Sequence, residues 1–437
     1  MLLLASVAFY TWGEPLFVPV VLATCVSDLL LGRLAARGSR VALAAGVAVN
    51  LAMLVYYKYS GFLLANLNGA LGAAGLAALP GVAVALPVGV SFITFEKITY
   101  LVDVYRGVSR PARGFGGYLL YVFLFPKLLA GPIIKYHEID AQMLRLPKAN
   151  IEDFSAGMLR FMLGVAKKTI LADTLARGAD MVFATPAGTV GFGQAWLGIL
   201  FFTFQIYFDF SAYSDMAIGL ARMLGFRLLE NFNMPYLACS ITEFWRRWHI
   251  SLSTWIREYL YIPLGGSRAG AERRYLNLWL CFLASGLWHG AAWTYVAWGA
   301  YNGLFLVLDK LFLLRVLNRL PRPVANAATF LTIVVGWTLF RASSLGGAGA
   351  LLQAMVSPAK LSTNAEIWVT PDLVWALAIA AAVCAAPRLP GFSYLRARID
   401  GGGGFALATQ MGIALLFVVA VGKAVADPFT PFLYFRF

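Results

Sequence analysis

The sequence predicts an all-α integral membrane protein with about eleven transmembrane or re-entrant helices. Of its 437 residues, 60% are hydrophobic and only 13% are charged, whereas a soluble globular chain is roughly half apolar and a quarter charged. Several apolar stretches approach or exceed the ~20 residues that a helix needs to cross a hydrocarbon core of ~30 Å. The clearest are residues 16–31, 41–56, 195–220 and 373–386.

Helices, rather than strands, are expected to form these crossings. A chain inside lipid must satisfy its backbone hydrogen bonds internally, and the apolar runs lack the alternation of the ~10-residue strands of a membrane barrel. No repeat of fixed period and no low-complexity linker divides the chain. We therefore expect one membrane domain that spans residues 1–437.

The charge balance predicts a lipid bilayer as partner and no nucleic acid. Lys and Arg total 35 against 21 Asp and Glu, a net charge of +14, which in a soluble protein would suggest nucleic-acid binding. Here the basic residues sit in short segments between apolar runs, for example at 106–113 and 315–322. This placement is typical of cytoplasmic loops under the positive-inside rule.

The spacing of the cysteines and the absence of common catalytic motifs exclude several kinds of site. Cys25, Cys239, Cys281 and Cys384 show no CxxC spacing, and three of them lie inside apolar runs. Cysteine there usually behaves as a small hydrophobic residue, so the sequence predicts neither a disulfide framework nor a metal site. The sequence also contains no GxSxG elbow, no P-loop and no HExxH motif, which removes three common enzyme classes.

One apolar run, at residues 204–215, carries an unusual density of polar side chains. Each carboxylate at membrane depth costs a few kcal/mol or more unless it is paired. Asp209 and Tyr213 are four residues apart and are predicted to share one helix face. Two interpretations stay open, a buried structural network and the wall of a polar tunnel. The polar residues are Gln205, Asp209, Ser211, Ser214 and Asp215.

Histidine is rare in this chain, which has only His137, His249 and His289. His249 and His289 lie in dense aromatic settings, and an imidazole with a pKa near 6.5 suits general base catalysis. A lone buried histidine is more often a satisfied core residue than a catalyst, so both interpretations stay open on chemistry alone. His137 sits at the polar end of an apolar run, where a headgroup or loop contact explains it.

The apolar run at residues 276–308 is too long for one crossing, since a straight helix of that length would span roughly 50 Å. We expect a break at Gly286 and Gly290, which flank His289. Basic segments at 268–274 and 310–322 favour an even number of crossings between them. A hairpin or re-entrant arrangement would put His289 at the turn, where irregular backbone is tolerated only inside protein or along a cavity.

At these segments the sequence resembles the membrane-bound O-acyltransferase family, and within it the bacterial alginate O-acetyltransferase branch. The most specific wording is Trp-Arg-Arg-Trp-His at 245–249 and Leu-Trp-His-Gly at 287–290. Met234 and Glu258 depart from the residues that many relatives carry, at positions that bear on substrate detail. Region 204–308 holds the strongest similarity, and weaker stretches extend it over nearly the whole chain, at 86–92, 102–106, 125–132, 335–337 and 431–437.

The resemblance implies a helical fold around a central tunnel, with His289 as the principal catalytic residue and His249 as its partner near the cytoplasmic side. It implies an O-acetyltransferase that takes acetyl from cytoplasmic acetyl-CoA, a substrate rather than a bound cofactor. The acyl group would cross the bacterial inner membrane to an exported, alginate-like polysaccharide, through a periplasmic acetyltransferase partner. Two alternatives stay open, a D-alanyl transferase acting on teichoic acids and, from another class, a transporter or channel.

Further residues are expected around the two histidines. Nearby arginines are expected to face the cytoplasm and to attract the phosphates of coenzyme A, because arginine binds phosphate through its planar fork of donors. Simple membrane anchoring stays open as the alternative for each of them. Residues 429–437 are expected outside, as part of a partner-docking surface. The predicted tunnel-lining residues are Asp209, Tyr213, Ser214, Asp215, Trp245, Trp248, Trp288 and Asn302, and the predicted phosphate-binding residues are Arg246, Arg247, Arg257 and Arg268.

Overall fold

The computed structural model describes residues 1–81, 84–129, 131–186, 188–268, 270–358, 369–427 and 431–433. Within these ranges the regular secondary structure is entirely helical, which confirms the predicted fold class. The chain forms two compact units, so the single membrane domain stays a prediction. Unit 1 comprises Met1–Asn150, Leu224–Leu229 and Gly290–Ala292, and unit 2 comprises Ile151–Met223, Glu230–His289 and Trp293–Phe437.

Unit 1 contains helices α1 to α8. Ser39 caps the start of α3, since its hydroxyl accepts a hydrogen bond from the Ala42 N–H at 3.2 Å. A π-helical turn at Val55–Tyr59 continues α3 directly into α4. The helices are α1 Leu2–Gly13, α2 Val18–Ala35, α3 Arg40–Leu54, α4 Ser60–Ala73, α5 Val90–Tyr105, α6 Phe115–Phe123, α7 Phe125–Leu128 and α8 Tyr136–Leu144.

A buried cluster of polar side chains ties four helices of unit 1 together. Asp28 of α2 accepts hydrogen bonds from Asn50 of α3 at 2.7 Å and from Tyr118 of α6 at 2.9 Å. Lys97 of α5 lies 3.2 Å from the same carboxylate. All four side chains are buried, and the Asp28 carboxylate meets its three partners inside the protein, as a buried charge requires.

Unit 2 contains helices α9 to α21. π-helical turns at Lys167–Ala172, Arg257–Tyr261 and Asp309–Leu313 follow α9, α13 and α15. The helices are α9 Ile151–Ala166, α10 Asp173–Phe183, α11 Phe192–Met223, α12 Ile241–Arg247, α13 Ile250–Ile256, α14 Ala271–His289, α15 Trp293–Leu308, α16 Leu314–Leu317, α17 Arg322–Arg341, α18 Leu345–Met355, α19 Pro371–Ala385, α20 Phe392–Asp400 and α21 Gly403–Ala426.

Helix α11 is the centre of unit 2, and α9 packs along it with the two backbones in direct contact. A Cβ atom at Gly157 of α9 would lie 2.6 Å from the Gly219 carbonyl oxygen of α11, and a Cβ at Gly219 would lie equally close to the Gly157 carbonyl. Only glycine permits such an approach, which is typical of helix pairs in membrane proteins. The pairing holds α11 and its polar side chains in place.

In the described part of the chain, six helices are long and apolar enough to cross a membrane. Four of them overlap the apolar stretches that the sequence singles out, and two more come from α17 and α21. The predicted count of about eleven crossings is not confirmed. The six are Val18–Ala35, Arg40–Ala73, Phe192–Met223, Arg322–Arg341, Pro371–Arg388 and Gly403–Ala426.

Helices α14 and α15 form an antiparallel pair, so the apolar run at 276–308 is interrupted as predicted. Helix α14 ends at His289 and α15 begins at Trp293. The break therefore follows His289 and starts at Gly290, whereas Gly286, the other predicted break point, lies inside α14.

Gly286 has a packing role instead. A Cβ atom at Gly286 would lie 2.2 Å from the Tyr295 carbonyl oxygen, and one at Gly299 would lie 2.4 Å from the Phe282 carbonyl oxygen. The two glycines thus let the backbones of α14 and α15 touch. The position of His289 at the end of α14 depends on this contact.

Replacing Gly286 with alanine should therefore destabilise unit 2. Alanine normally favours a helix over glycine by ~1 kcal/mol, but here overpacking should outweigh that gain by costing ~1–3 kcal/mol. A lower apparent melting temperature of the purified protein would report it. Gly412→Ala in α21 is the matched control, since a Cβ at Gly412 meets no atom within 4 Å. Equal melting temperatures for the two variants would contradict the close contact.

Candidate active site

His249 lies at a sharp elbow between α12 and α13. Its backbone is left-handed, with φ of 44° and ψ of 56°, a conformation that costs a non-glycine residue ~1–2 kcal/mol. The Ile250 N–H donates to the Asn231 carbonyl at 2.9 Å, and the Asn233 N–H donates to the Arg247 carbonyl at 2.9 Å. Backbone strain that neighbouring contacts maintain is typical of functional sites.

The Asn231 side chain determines which nitrogen of His249 carries a proton. The Ser251 backbone N–H, which can only donate, lies 3.1 Å from one side-chain atom of Asn231, so that atom is the oxygen Oδ1. The Ser251 hydroxyl also donates to it at 2.9 Å, and Asn231 Nδ2 donates to Ser214 Oγ at 3.2 Å. His249 Nδ1 lies 3.2 Å from this acceptor oxygen. Nδ1 therefore carries the proton, and the lone pair is on Nε2.

Burial keeps the His249 ring neutral. The residue lies outside the six candidate membrane spans and is 1% exposed. Burial lowers the pKa of His249 to about 3, because a buried imidazolium would lose its hydration. The Phe210 ring packs on the imidazole nearly at a right angle, with centroids 4.6 Å apart and planes at 87°. At neutral pH His249 is thus an uncharged imidazole of one tautomer.

His289 is packed on several sides by aromatic rings at the end of α14. It is 4% exposed, and its ring centroid lies 5.0 Å from Trp288, 5.1 Å from Trp298 and 5.2 Å from Phe340. The His249 centroid lies 6.0 Å from the same Trp288 ring. The fold thus brings the two histidines, forty residues apart in sequence, into contact with one indole.

Two more of the predicted tryptophans belong to the same aromatic cluster. Trp245 lies 5.5 Å from Trp298, and Trp248 lies 5.0 Å from Trp337, measured between ring centroids. Asn302 donates from Nδ2 to the Trp298 carbonyl at 2.9 Å, one turn earlier in α15. Asn302 therefore supports the helix behind Trp298, and this bond makes it a structural neighbour of the cluster.

The predicted carboxylates form ion pairs. Asp209 Oδ1 lies 2.8 Å from Lys168 Nζ, and Asp215 lies 2.9 Å from Arg160 and 2.8 Å from Lys167. Of the two interpretations of residues 204–215, these contacts support the structural network, and the predicted tunnel-lining role of Asp209 and Asp215 finds no support in them. Helix α9 and the π-helical turn after it supply the three cations.

Tyr213 and Ser214 differ in their relation to the histidines. Ser214 reaches His249 through Asn231, as described above. Tyr213 packs on Phe432, with ring centroids 4.1 Å apart. Phe432 and Leu433 are buried, so these two side chains do not form part of the predicted partner-docking surface. Positions 429, 430 and 434–437 of that prediction lie outside the described residues.

A cleft of about 230 Å³ lies between α12, α13 and α14. Arg246 and Arg257 line it together with apolar side chains, and so does Ser285, which is one helical turn before His289 in α14. Arg246 and Arg257, two of the predicted phosphate-binding residues, therefore share one cleft. The cleft combines two cations with an otherwise mainly apolar lining.

The other two predicted phosphate-binding arginines do not line this cleft. Arg247 donates to Glu243 at 2.8 Å and 3.0 Å and to the Asn233 carbonyl at 3.1 Å. Arg268 ends a short 3-10 turn at Gly266–Arg268 and is exposed. Arg247 is held in an ion pair within α12 because Glu243 lies four residues before it, and residues at that spacing meet on one helix face.

His137 belongs to unit 1. Its Nδ1 lies 2.9 Å from Asp103, and its backbone N–H donates to the same carboxylate at 3.2 Å. This contact with a carboxylate of α5 explains the residue, in place of the headgroup or loop contact that the sequence predicts.

Sequence reasoning missed three residues of the site, namely Asn231, Ser251 and Phe210. Asn231 and Ser251 both lie within the region of strongest family similarity, 204–308, and Ser251 is two residues after His249, so the sequence could have indicated both. Phe210 gave no separate signal because it is one of many aromatic residues in α11.

Comparisons with known proteins cover this whole site. Residues 114–339 match the model of the membrane-bound O-acyltransferase family. The chain is 42% identical to the probable alginate O-acetylase of Pseudomonas putida, over 100% of this chain and 94% of that protein. It is 34% identical to the peptidoglycan O-acetyltransferase of Helicobacter pylori, over 81% of this chain and 73% of that protein. Its identity to the teichoic acid D-alanyltransferase of Streptococcus thermophilus is 26%, over 52% of this chain and 57% of that protein.

The buried, neutral state of His249 should make the protein less stable as pH falls. In the unfolded chain the imidazole binds a proton near pH 6.5, whereas in the folded protein it does so only near pH 3. The unfolded state therefore binds more protons between these values, so stability should decrease below pH ~6.5, by about 2 kcal/mol at pH 5.

Melting temperatures at pH 7 and pH 5, measured for the wild type and for His249→Asn, test this expectation. Asparagine tolerates the left-handed backbone and does not titrate. The wild type should lose more stability than the variant on acidification. Identical pH dependence in both proteins would mean that His249 is not held neutral by the fold.

Proposed function

Since this chain belongs to the membrane-bound O-acyltransferase family, we propose that it transfers acetyl from cytoplasmic acetyl-CoA across the bacterial inner membrane for O-acetylation of an exported, alginate-like polysaccharide. The chain is an acyltransferase and a multi-pass membrane protein. The observation that carries the proposal is the pair of buried imidazoles in contact with Trp288. A cleft lined by two arginines includes Ser285, one helical turn before His289.

His289 acts as the general base in this proposal. It removes the proton of the accepting hydroxyl as that oxygen attacks the thioester carbonyl, so no positively charged oxonium intermediate forms. The new C–O bond replaces the C–S bond, coenzyme A leaves as a thiolate, and the proton held by His289 can neutralise it. His249, with its lone pair on Nε2, accepts a hydrogen bond that orients a substrate group.

The cleft between α12 and α14 is the proposed entrance for acetyl-CoA. Arg246 and Arg257 would bind its phosphates, because guanidinium groups form paired hydrogen bonds to phosphate oxygens. The apolar lining suits the less polar arm that carries the thioester. Ser285, one turn before His289, marks the direction in which that arm would extend.

A second cleft, of about 180 Å³, supports access from the other side. It lies where α17 ends and is lined by Thr185, Arg341, Ser343 and Ser344, among others. Helix α17 runs parallel to α14, and its Phe340, next to Arg341, contacts His289. The first cleft lies along the part of α14 that precedes His289, so the two clefts lie on opposite sides of His289 along these helices. The proposed periplasmic acetyltransferase partner would receive the acyl group on the second side.

The alternatives receive less support. The D-alanyl transferase named above is 26% identical over about half of the chain, whereas the alginate relative is 42% identical over all of it. A transporter or channel does not fit a family of acyltransferases.

Supplying the purified protein with labelled acetyl-CoA and, in parallel, with a labelled D-alanyl carrier protein decides between the donors. Movement of the D-alanyl label alone would refute the acetyl donor.

Replacing His289 with alanine should abolish acetyl transfer while leaving the protein level and membrane insertion near normal. Loss of a general base typically lowers the rate by roughly 10²- to 10⁴-fold. Release of free coenzyme A from acetyl-CoA, normalised to folded protein, measures the effect. His137→Ala is the control and should stay near wild-type activity. Near-wild-type turnover in His289→Ala would refute the assignment.

Replacing both Arg246 and Arg257 with alanine should weaken donor binding more than turnover. Each lost charged hydrogen bond to a phosphate is worth ~1.5–3 kcal/mol, so KM for acetyl-CoA should rise at least tenfold. Raising the salt concentration should reduce the difference between wild type and variant. Arg268→Ala, which changes an exposed arginine outside the cleft, is the control. An unchanged KM in the double variant would exclude the cleft as the phosphate site.

A further inference from the structure

Phe432 and Leu433, which follow α21, are buried inside unit 2. Phe432 is 0% exposed and Leu433 is 3% exposed. A segment outside regular helices usually lies at the surface, because its backbone needs hydrogen-bond partners. Its burial here requires a specific binding site.

Asp209 of α11 provides that site. The Leu433 N–H donates to Asp209 Oδ2 at 2.9 Å, and Lys168 Nζ lies 2.8 Å from the other oxygen, Oδ1. Asp209 is 2% exposed, so loss of either partner would leave a buried carboxylate oxygen without its donor. Since the donor at position 433 is a main-chain group, the contact depends on where the segment lies and not on the side chain of residue 433.

The anchored segment reaches His249 through one aromatic ring. Phe432 packs on Tyr213, with ring centroids 4.1 Å apart, and on Phe210, with centroids 5.7 Å apart. Phe210 in turn packs on the His249 imidazole nearly at a right angle, with centroids 4.6 Å apart. Asn231 holds one edge of that imidazole, and Phe210 limits the tilt of its plane.

We propose that Phe432 is a positioning residue for His249 and acts through Phe210. Truncating Phe432 would leave a cavity beside Phe210, and the Phe210 ring would then move away from the imidazole. The catalytic part of this inference rests on the proposed function, because the position of His249 affects turnover only if His249 serves the transfer. The contact itself does not depend on which substrate is used.

Three variants of the full chain, purified in detergent, test the proposal. Phe432→Ala removes the ring, and Phe432→Leu keeps most of its apolar volume, which cores tolerate best. Phe201→Ala is the matched control, because Phe201 is also a fully buried phenylalanine of unit 2 but packs near Gly178 of α10. Any general effect of a cavity on stability should appear in the control as well.

The first measurement is steady-state transfer from acetyl-CoA, normalised to folded protein. Small displacements of a catalytic group lower turnover strongly, so kcat should fall about tenfold in Phe432→Ala. KM for acetyl-CoA should stay unchanged, since Phe432 packs on α11, whereas Arg246 and Arg257 line a cleft between α12, α13 and α14. Phe432→Leu should restore kcat to within about twofold of wild type, and Phe201→Ala should keep it.

The second measurement does not depend on activity. Diethyl pyrocarbonate modifies neutral imidazole nitrogens, and peptide mass spectrometry gives the rate at His249 alone. Modification should be slow in the wild type, in Phe432→Leu and in Phe201→Ala, and several-fold faster in Phe432→Ala.

The proposal is overturned if Phe432→Ala matches Phe201→Ala in both measurements. It is also overturned if kcat falls while His249 modification is unchanged, or if modification speeds up without loss of kcat. If the wild type transfers nothing from acetyl-CoA, the proposed function fails, and the modification rates still decide whether Phe432 holds His249.

Discussion

The hydrogen bonds of the Asn231 carboxamide are the interactions on which the geometry of the proposed site depends. Its oxygen accepts from Ser251 and His249, and its nitrogen donates to Ser214 of α11. The same residue's carbonyl holds the elbow between α12 and α13. Thus one amide links the central helix α11 to the strained turn. Because every partner of that amide is buried, the His249 imidazole keeps one orientation and one tautomer.

A similar requirement shapes the rest of the molecule. Carboxylates that lie inside apolar surroundings are stabilised only when cations or N–H groups accompany them. Asp28 gathers partners from three other helices in unit 1, and Asp209 gathers Lys168 and the Leu433 N–H in unit 2. Each buried charge therefore determines which segments must lie next to each other, and apolar packing between glycine pairs then brings the helices to contact distance.

Sequence patterns predicted the features that depend on local composition. Apolar runs of sufficient length correspond to candidate membrane-spanning helices. The run at 276–308 is interrupted next to His289, because one helix of that length would exceed the thickness of a bilayer. The roles of the two histidines came from family resemblance and stay predictions. Contacts between distant positions were out of reach: no local pattern reveals that Leu433 binds a carboxylate 224 residues earlier, or that Asn231 orients His249. The ion pair of Arg247 with Glu243, in contrast, follows from their spacing of four residues and could have been predicted from the sequence.

The left-handed backbone at position 249 restricts which residues natural variation can install there. Glycine, asparagine and aspartate adopt φ near 44° with little strain, and histidine is the other residue enriched in this region. Of these four, only histidine offers an uncharged nitrogen with an available lone pair at neutral pH. Under the proposed function, backbone geometry and acid–base chemistry thus select the same side chain independently. A sequence that changes at this position has almost no intermediate residue that meets both conditions.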